Sequence, residues 1–115
     1  MALYLKNKKK IETIFEKGFT VKADGLLFKG YDFKDDERKY GVSVSKKLFP
    51  LAVDRNLIKR RLKEEINRLK FVDFISKDIS FFIVYTSKKI LSSREINKVL
   101  KHLYQVTKHP KKVNF

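Results

Sequence analysis

The sequence predicts a single-domain α/β (α+β) sandwich, with helices packed on a mixed sheet in the order α-β-β-β-α-β-α. Three observations support this prediction. Residues 79–85 (ISFFIVY) form a nearly continuous apolar run, which is typical of a central strand buried on both faces. Residues 39–45 (KYGVSVS) alternate between larger apolar and small side chains, as a strand with one buried face does. Helical periodicity follows each of these two segments.

The first predicted helix runs from about residue 7 to residue 17. Residues 1–6 before it are expected to be extended and to cover a sheet edge. Asn7 suits the N-cap position, and Gly18 suits the position just beyond the last turn. One face of this helix carries the apolar side chains Ile11, Ile14 and Phe15.

Two further segments, residues 19–22 and 25–33, read as strands, although Gly30 weakens the second. We expect residues 25–33 and 39–45 to form an antiparallel hairpin around an acidic polar turn. The strand at 39–45 and the apolar strand at 79–85 can pair in parallel through a βαβ crossover.

The second helix is predicted to begin near Pro50, and it carries a core stripe at helical spacing. The stripe consists of Leu51, Ile58, Leu62, Ile66 and Leu69.

The two flanks of this helix differ in charge. One is purely cationic and amidic, and consists of Asn56, Lys59, Arg60 and Lys63, with Asn67 beside them. The other mixes signs, and there a solvated surface with Arg61–Glu65 and Glu64–Arg68 pairs is sufficient explanation. The first flank has no acid for such pairing, so it indicates a polyanion-binding surface.

The third helix opens with a capping box, Ser92-x-x-Glu95. Its apolar stripe is Ile96, Val99, Leu100 and Leu103. Pro110 ends any continuation, so residues 1–115 are predicted to form one domain with a loose tail at about 109–115.

The net charge of +15 indicates a partner with dense negative charge, since self-repulsion weakens a folded state. Nucleic acid is the first candidate and a membrane surface the second. The chain contains no cysteine and two histidines, so a disulfide framework and a Cys/His zinc site are excluded. No secretion signal or membrane-spanning run is evident, and a cytoplasmic location is expected. No catalytic constellation or phosphate-binding glycine loop is evident either.

The chain resembles the protein subunit of bacterial ribonuclease P. The resemblance rests on the segment 41–47 (GVSVSKK), on Ala52-Val53, on Arg55-Asn56-x-Ile58-Lys59-Arg60 and on Lys63-Glu64. Near the N-terminus, Leu5-Lys6, Ile11, Phe15 and Gly18 match the family's first helix. The resemblance covers residues 4 to 108.

The resemblance implies a ribosomal protein S5 domain 2-like fold with a left-handed βαβ crossover. It implies a subunit of an endoribonuclease that removes the 5′ leader of precursor tRNA. Catalysis would reside in the ribonuclease P RNA and the Mg²⁺ bound to it, with no catalytic residue and no metal site in this chain. The implied partners are that RNA and precursor tRNA, with no membrane; one protein per RNA is expected, although the sequence sets no oligomeric state.

The resemblance also implies two contact regions. The residues expected to bind the catalytic RNA are Lys46, Lys47, Arg55, Asn56, Lys59, Arg60, Arg61 and Lys63. The residues expected to line a cleft for the single-stranded leader are Lys6, Ile11, Phe15, Lys29 and Tyr31.

The sequence departs from the family pattern at three places. Leu57 stands where the motif has a second arginine, which Arg61 partly replaces. The turn at 48–51 is one residue longer, and Ile11 is aliphatic where an aromatic is usual. The alternatives left open are a ribosomal or S5/KH-like RNA-binding protein without a role in cleavage, a self-sufficient nuclease and a DNA-binding protein.

Overall fold

The computed structural model describes the backbone of residues 3–107 and the side chains of residues 4–105. Its regular elements follow the predicted order, with a short N-terminal strand added. They are β1 (Leu3–Tyr4), α1 (Lys8–Lys17), β2 (Phe19–Ala23), β3 (Leu26–Asp32), β4 (Lys39–Val44), α2 (Ala52–Arg68), a 3₁₀ turn (Phe71–Phe74), β5 (Ile79–Tyr85) and α3 (Ser93–Thr107).

The strands of the described chain form one mixed sheet in the order β1-β4-β5-β3-β2. The apolar strand β5 lies in its centre, parallel to β4 and antiparallel to β3. The predicted parallel pairing of β4 and β5 across α2 is therefore confirmed. The predicted hairpin between β3 and β4 is wrong, because β5 lies between them and pairs with both; β3 instead forms a hairpin with β2.

The short strand β1 pairs in parallel with β4 and covers the edge of the sheet, as expected of residues 1–6. The backbone N–H of Leu5 extends this pairing by donating to the Tyr40 carbonyl at 2.9 Å. This edge of the sheet is therefore formed by the strand that leads into α1.

Helices α2 and α3 pack on one face of the sheet, which we call the closed face. The inward side chains of the strands meet both helices in a single cluster of buried residues. At its centre the Phe81 ring stacks on the rings of Phe28 and Tyr40, at centroid distances of 4.9 and 5.6 Å. Burial of these large rings contributes strongly to the stability of the closed face.

Helix α1 packs on the opposite face, which we call the open face. The side chain of Asn7 caps its first turn by accepting from the Lys10 N–H at 3.2 Å, as predicted. Gly18 follows its last turn, also as predicted, but in an extended conformation with φ of −68°. Close approach is what requires glycine there, because a Cβ would lie 2.3 Å from the Ile14 carbonyl oxygen and 2.6 Å from that of Gly30.

Helix α2 begins at Ala52, two residues later than predicted from Pro50. Leu51 is its N-cap and is 65% exposed, so its assignment to the core stripe is wrong. Phe49 is buried in the closed face instead. The remaining stripe is confirmed, with Ile58, Leu62 and Ile66 fully buried and Leu69 packed at the margin.

Helix α3 begins with the predicted capping box. The Ser92 N–H donates to Glu95 Oε1 and the Glu95 N–H donates to Ser92 Oγ, each at 3.2 Å. These bonds hold the pKa of the Glu95 carboxyl below its ordinary value. The loose tail expected at about 109–115 lies outside the described residues. Within residues 3–107, no helix is both long and apolar enough to cross a membrane.

Candidate nucleic-acid interface

One flank of α2, which we call the motif flank, consists of Asn56, Lys59, Arg60 and Lys63. Asn56 and Arg60 are exposed, and Lys59 and Lys63 are partly buried. The ammonium of Lys63 lies 4.2 Å from the centre of the Tyr4 ring, so this flank faces the β1 edge of the sheet. This cation–π contact holds the Lys63 side chain against the Tyr4 ring.

Lys46 and Lys47 lie in the turn between β4 and α2, and both are exposed. The hydroxyl of Ser45 shapes this turn by accepting from the Lys47 N–H at 3.0 Å, and the Ser45 carbonyl accepts from the Phe49 N–H at 3.0 Å. Serine favours such local turns because its hydroxyl bonds nearby backbone groups. The two lysines therefore project from an ordered turn.

The side chain of Arg55 forms hydrogen bonds within the same segment between β4 and α2. Its Nη1 donates to the carbonyl oxygens of Phe49 and Pro50, both at 2.8 Å. The guanidinium satisfies backbone acceptors that precede the helix and holds the longer turn at 48–51 against its first turn. We call the turn that carries Lys46 and Lys47 the lysine turn. In addition to the predicted contact with RNA, Arg55 therefore has a role in positioning this turn.

Arg61 lies on the opposite flank of α2, which faces α3. Its Nη1 donates to the Leu91 carbonyl at 2.7 Å, in a part-buried contact. The predicted Arg61–Glu65 and Glu64–Arg68 pairs are wrong, because Glu65 pairs with Arg68 at 3.3 Å and accepts from Asn97. The Leu91 carbonyl lies in the segment before α3 and the Asn97 amide lies in α3, so a wheel of α2 alone contains neither partner.

The motif flank and the lysine turn together carry positive charge without local compensation. In the part of the chain that the structure describes, no ion pair involves Lys46, Lys47, Lys59, Arg60 or Lys63. Unpaired cations at this density attract phosphate, because each neutralised phosphate releases condensed counterions. This surface is the strongest candidate contact for a polyanion.

On the open face, Phe15 projects from α1 beside the sheet and is 39% exposed. Its ring lies 5.3 Å from that of Phe82, and the ammonium of Lys29 lies 6.0 Å from its centre. Ile11 and Tyr31 are partly buried in the adjoining apolar cluster, whereas Lys6 is exposed between β1 and α1. The structure therefore brings Phe15 and Lys29 together, with Ile11 and Tyr31 in the cluster that supports them.

The sequence reasoning missed Phe82, which forms the floor under Phe15 and is 9% exposed. The apolar run at residues 79–85, which contains Phe82, indicated a strand buried on both faces. It gave no reason to assign Phe82 a functional role. The available signal was Gly41, which pairs with Phe82 across the sheet, where a Cβ would lie 2.6 Å from the ring. A glycine opposite an aromatic residue leaves room for the ring to lie flat over the strand.

The acidic turn that follows β3 is tied to α1. Lys10 forms an ion pair with Asp35 and lies 3.8 Å from Glu37, and its ammonium is 5.0 Å from the centre of the Phe33 ring. The hydrogen bond from Lys10 holds the pKa of the Asp35 carboxyl below its ordinary value. The acids are thus used within the fold, and Lys10 anchors the start of α1.

Among residues 3–107, no group of three or more His, Cys, Asp or Glu side chains is placed to hold a metal ion. The described site instead combines an unpaired basic helix flank with an exposed aromatic ring beside a lysine. Cations bind phosphates and rings stack on bases regardless of sequence. Fold and site together define a small basic α+β protein of the nucleic-acid-binding class.

Comparison with known proteins gives the family. The family model described as Ribonuclease P matches residues 2–109. The ribonuclease P protein component of Macrococcus caseolyticus is 30% identical over 108 residues, and that of Staphylococcus haemolyticus is 32% identical over 107 residues. Each alignment covers 93% of this chain and 91% of the relative. The chain therefore belongs to the ribonuclease P protein family.

Solved structures agree with this assignment. The ribonuclease P protein of Staphylococcus aureus superposes with a TM-score of 0.76 at 27% identity, covering 92% of this chain and 95% of that one. The protein from Thermotoga maritima gives a TM-score of 0.73 over 89% of this chain and 94% of that one, and at 20% identity it supports the fold alone.

Proposed function

We propose that this chain is the protein subunit of a ribonuclease P holoenzyme, an endoribonuclease that removes the 5′ leader of precursor tRNA. In this proposal the chain binds the catalytic RNA through the motif flank and the lysine turn. It binds the single-stranded leader on the open face. The observation that carries the proposal is the cluster of unpaired cations on α2, in a chain of this family.

The contact with the catalytic RNA is electrostatic and geometric. Arg60 offers a planar fork of donors that can bridge two phosphate oxygens, whereas Lys59 and Lys63 act as point charges. Asn56 can donate to RNA without adding charge. Arg55 contributes by fixing the turn that presents Lys46 and Lys47.

The contact with the leader is tolerant of sequence. Phe15 offers a ring face on which a base can stack, and Lys29 beside it can neutralise a phosphate. Phe82 supports Phe15 from below. Because neither group reads a base edge, leaders of different sequence can bind alike.

The proposed division of labour is the one that the family resemblance implies, and the contacts described above support the role of the protein in it. The RNA and the Mg²⁺ bound to it supply the hydrolytic chemistry, and the residues of this chain position and neutralise RNA. Neutralising phosphates lowers the concentration of cations that the folded RNA needs, so the protein matters most at low Mg²⁺. The proposed setting is the cytoplasm, with one protein per RNA.

The test is cleavage of a precursor tRNA at low Mg²⁺ by the protein alone, a ribonuclease P RNA alone and the mixture. We expect cleavage at the mature 5′ end in the mixture only. Cleavage by the protein alone would refute the division of labour. No gain in the mixture would favour the alternative, an RNA-binding protein without a role in cleavage.

A further inference from the structure

A second basic surface lies on the opposite side of α2 from the motif flank. There α2 and the first half of α3 border an open groove of about 440 Å³. Its lining includes four cationic side chains, one acid and one amide: Arg68, Arg94, Lys98, Lys101, Glu65 and Asn97. The groove therefore carries a net positive charge that neither the fold nor the proposed function accounts for.

The acid on the floor of this groove is already occupied. Glu65 is 4% exposed, accepts from Asn97 Nδ2 at 2.8 Å and pairs with Arg68 Nε at 3.3 Å. Within the described residues, Arg94, Lys98 and Lys101 take part in no ion pair, although the charge of Lys98 also acts on the neighbouring Glu95 carboxylate. The cations at the rim are thus available to an external anion.

An aromatic shelf continues the groove. Lys101 also lines an adjoining, mostly apolar cavity of about 290 Å³, together with Phe74 and Tyr104. The Phe74 and Tyr104 rings lie 4.1 Å apart at 32°, and Phe74 is 48% exposed. A large apolar ring so exposed beside cations is the arrangement that single-stranded nucleic acids bind.

We propose that this groove and shelf form a second binding site for single-stranded RNA. Arg94, Lys98 and Lys101 contact successive phosphates, and a base stacks on Phe74. An acidic peptide is the poorer fit because it offers no planar group to stack on the exposed part of the Phe74 ring. The site lies on the flank of α2 that faces α3, whereas Lys63 of the motif flank faces β1. The groove can therefore hold an RNA segment in addition to those proposed for the motif flank and the open face, whether or not the protein supports cleavage.

The absence of tryptophan from the chain makes the proposal directly measurable. A Phe74→Trp variant carries a single indole on the shelf, and a stacked base quenches its fluorescence. The matched control is Ile90→Trp, which places an indole at a residue of similar exposure, 43%, outside the groove. Titration with a short oligouridylate is expected to quench the reporter at position 74 strongly and the control weakly.

Charge variants in the Phe74→Trp background identify the phosphate contacts. Arg94→Gln with Lys98→Gln is expected to lower the affinity read at position 74 and to flatten its salt slope by about 1.4, or 0.7 for each phosphate. Lys88→Gln with Lys89→Gln removes the same charge from a neighbouring surface outside the groove and should leave the slope nearly unchanged. Circular dichroism of each variant establishes that the fold is retained.

Three outcomes would overturn the proposal. Equal quenching at positions 74 and 90 would show contact without a site. Equal effects of the two charge pairs would show a response to net charge alone. Stronger quenching by polyglutamate than by oligouridylate would assign the groove to an acidic protein segment. An Arg60→Ala change in the same background separates the two RNA surfaces, because it should weaken binding of the catalytic RNA and leave quenching at position 74 intact.

Discussion

The two faces of the sheet differ in how far helices cover them. In the described chain, α2 and α3 join the closed face in a core cluster of eighteen buried residues, whereas α1 joins the open face in a cluster of three. Because buried apolar area is the main source of folding free energy, the closed face supplies most of the stability. The open face keeps Phe15 accessible, so the same sheet provides both a scaffold and a surface for a ligand.

The largest effect is expected from the centre of the closed face. Phe81→Ala removes a ring that packs on Phe28, Tyr40 and Phe71. It should lower the free energy of unfolding by about 3–5 kcal/mol, since it leaves a cavity in a packed core. Urea unfolding followed by circular dichroism measures this loss. A loss below about 1 kcal/mol, the level of an ordinary substitution, would mean that this face does not dominate stability.

A second change tests how α1 is seated on the open face. Gly18→Ala forces the new Cβ against the backbone carbonyls of Ile14 and Gly30, so α1 must shift. The free energy of unfolding should fall by about 1–3 kcal/mol, as in overpacked sites. Glu16→Ala, at an exposed position on the same helix, is the control and should change it by about 0.5 kcal/mol or less. Equal effects of the two changes would contradict the close contact.

Two substitutions of Phe15 distinguish its contribution to stability from its contribution to leader binding on the open face. Phe15→Ala should weaken binding of a single-stranded leader by about 1–3 kcal/mol, the range for one base stacked on an aromatic ring. Phe15→Leu keeps an apolar contact with Phe82 but has no ring, so it should restore stability without restoring affinity. Fluorescence anisotropy with a labelled leader oligonucleotide measures binding. Full affinity in the Leu variant would indicate that Phe15 serves the fold alone.

Adjacent arginines on α2 offer a matched pair for the motif flank. Arg60→Ala should flatten the salt dependence of catalytic-RNA binding by about 0.9, the value for one phosphate of a duplex. Arg61→Ala should leave that slope unchanged and lower the free energy of unfolding by about 1 kcal/mol, because the bond to the Leu91 carbonyl is lost. Filter binding across salt concentrations gives the slopes. If Arg61→Ala flattens the salt dependence more than Arg60→Ala does, Arg61 contacts the RNA and Arg60 does not.

These contrasts show where sequence reasoning succeeds. Periodicity predicts most elements because burial alternates with helical or strand spacing, and Ser92–Glu95 predicts a helix start because both partners of the cap lie in one turn. Local sequence patterns contain less information about which strands are neighbours in the sheet. The hairpin expected between β3 and β4 failed because the more apolar β5, far along the chain, takes the central position between them.

The same limit applies to the candidate site. The cationic composition of the motif flank follows from a helical wheel, since it depends on α2 alone. The hydrogen-bond partners of Arg55 and Arg61 are backbone carbonyls in the preceding turn and in the segment before α3, which a wheel does not contain. Phe82 under Phe15 likewise requires the register of β5 against β4.

The smallest effect is expected at the acidic turn, where Asp35 holds Lys10 at the start of α1. The pKa of Asp35 is lowered in the folded state, so its contribution to stability is present above the ordinary value of 3.8 and is lost as the pH falls through the lower folded value. Asp35→Asn should therefore destabilise the protein slightly at neutral pH and reduce the change in stability below about pH 4. Thermal unfolding from pH 7 to pH 3 gives the comparison, with Asp24→Asn, at an exposed carboxyl in the β2–β3 turn, as the control. If the Asp35→Asn variant loses as much stability below about pH 4 as the unchanged protein, this ion pair does not anchor α1.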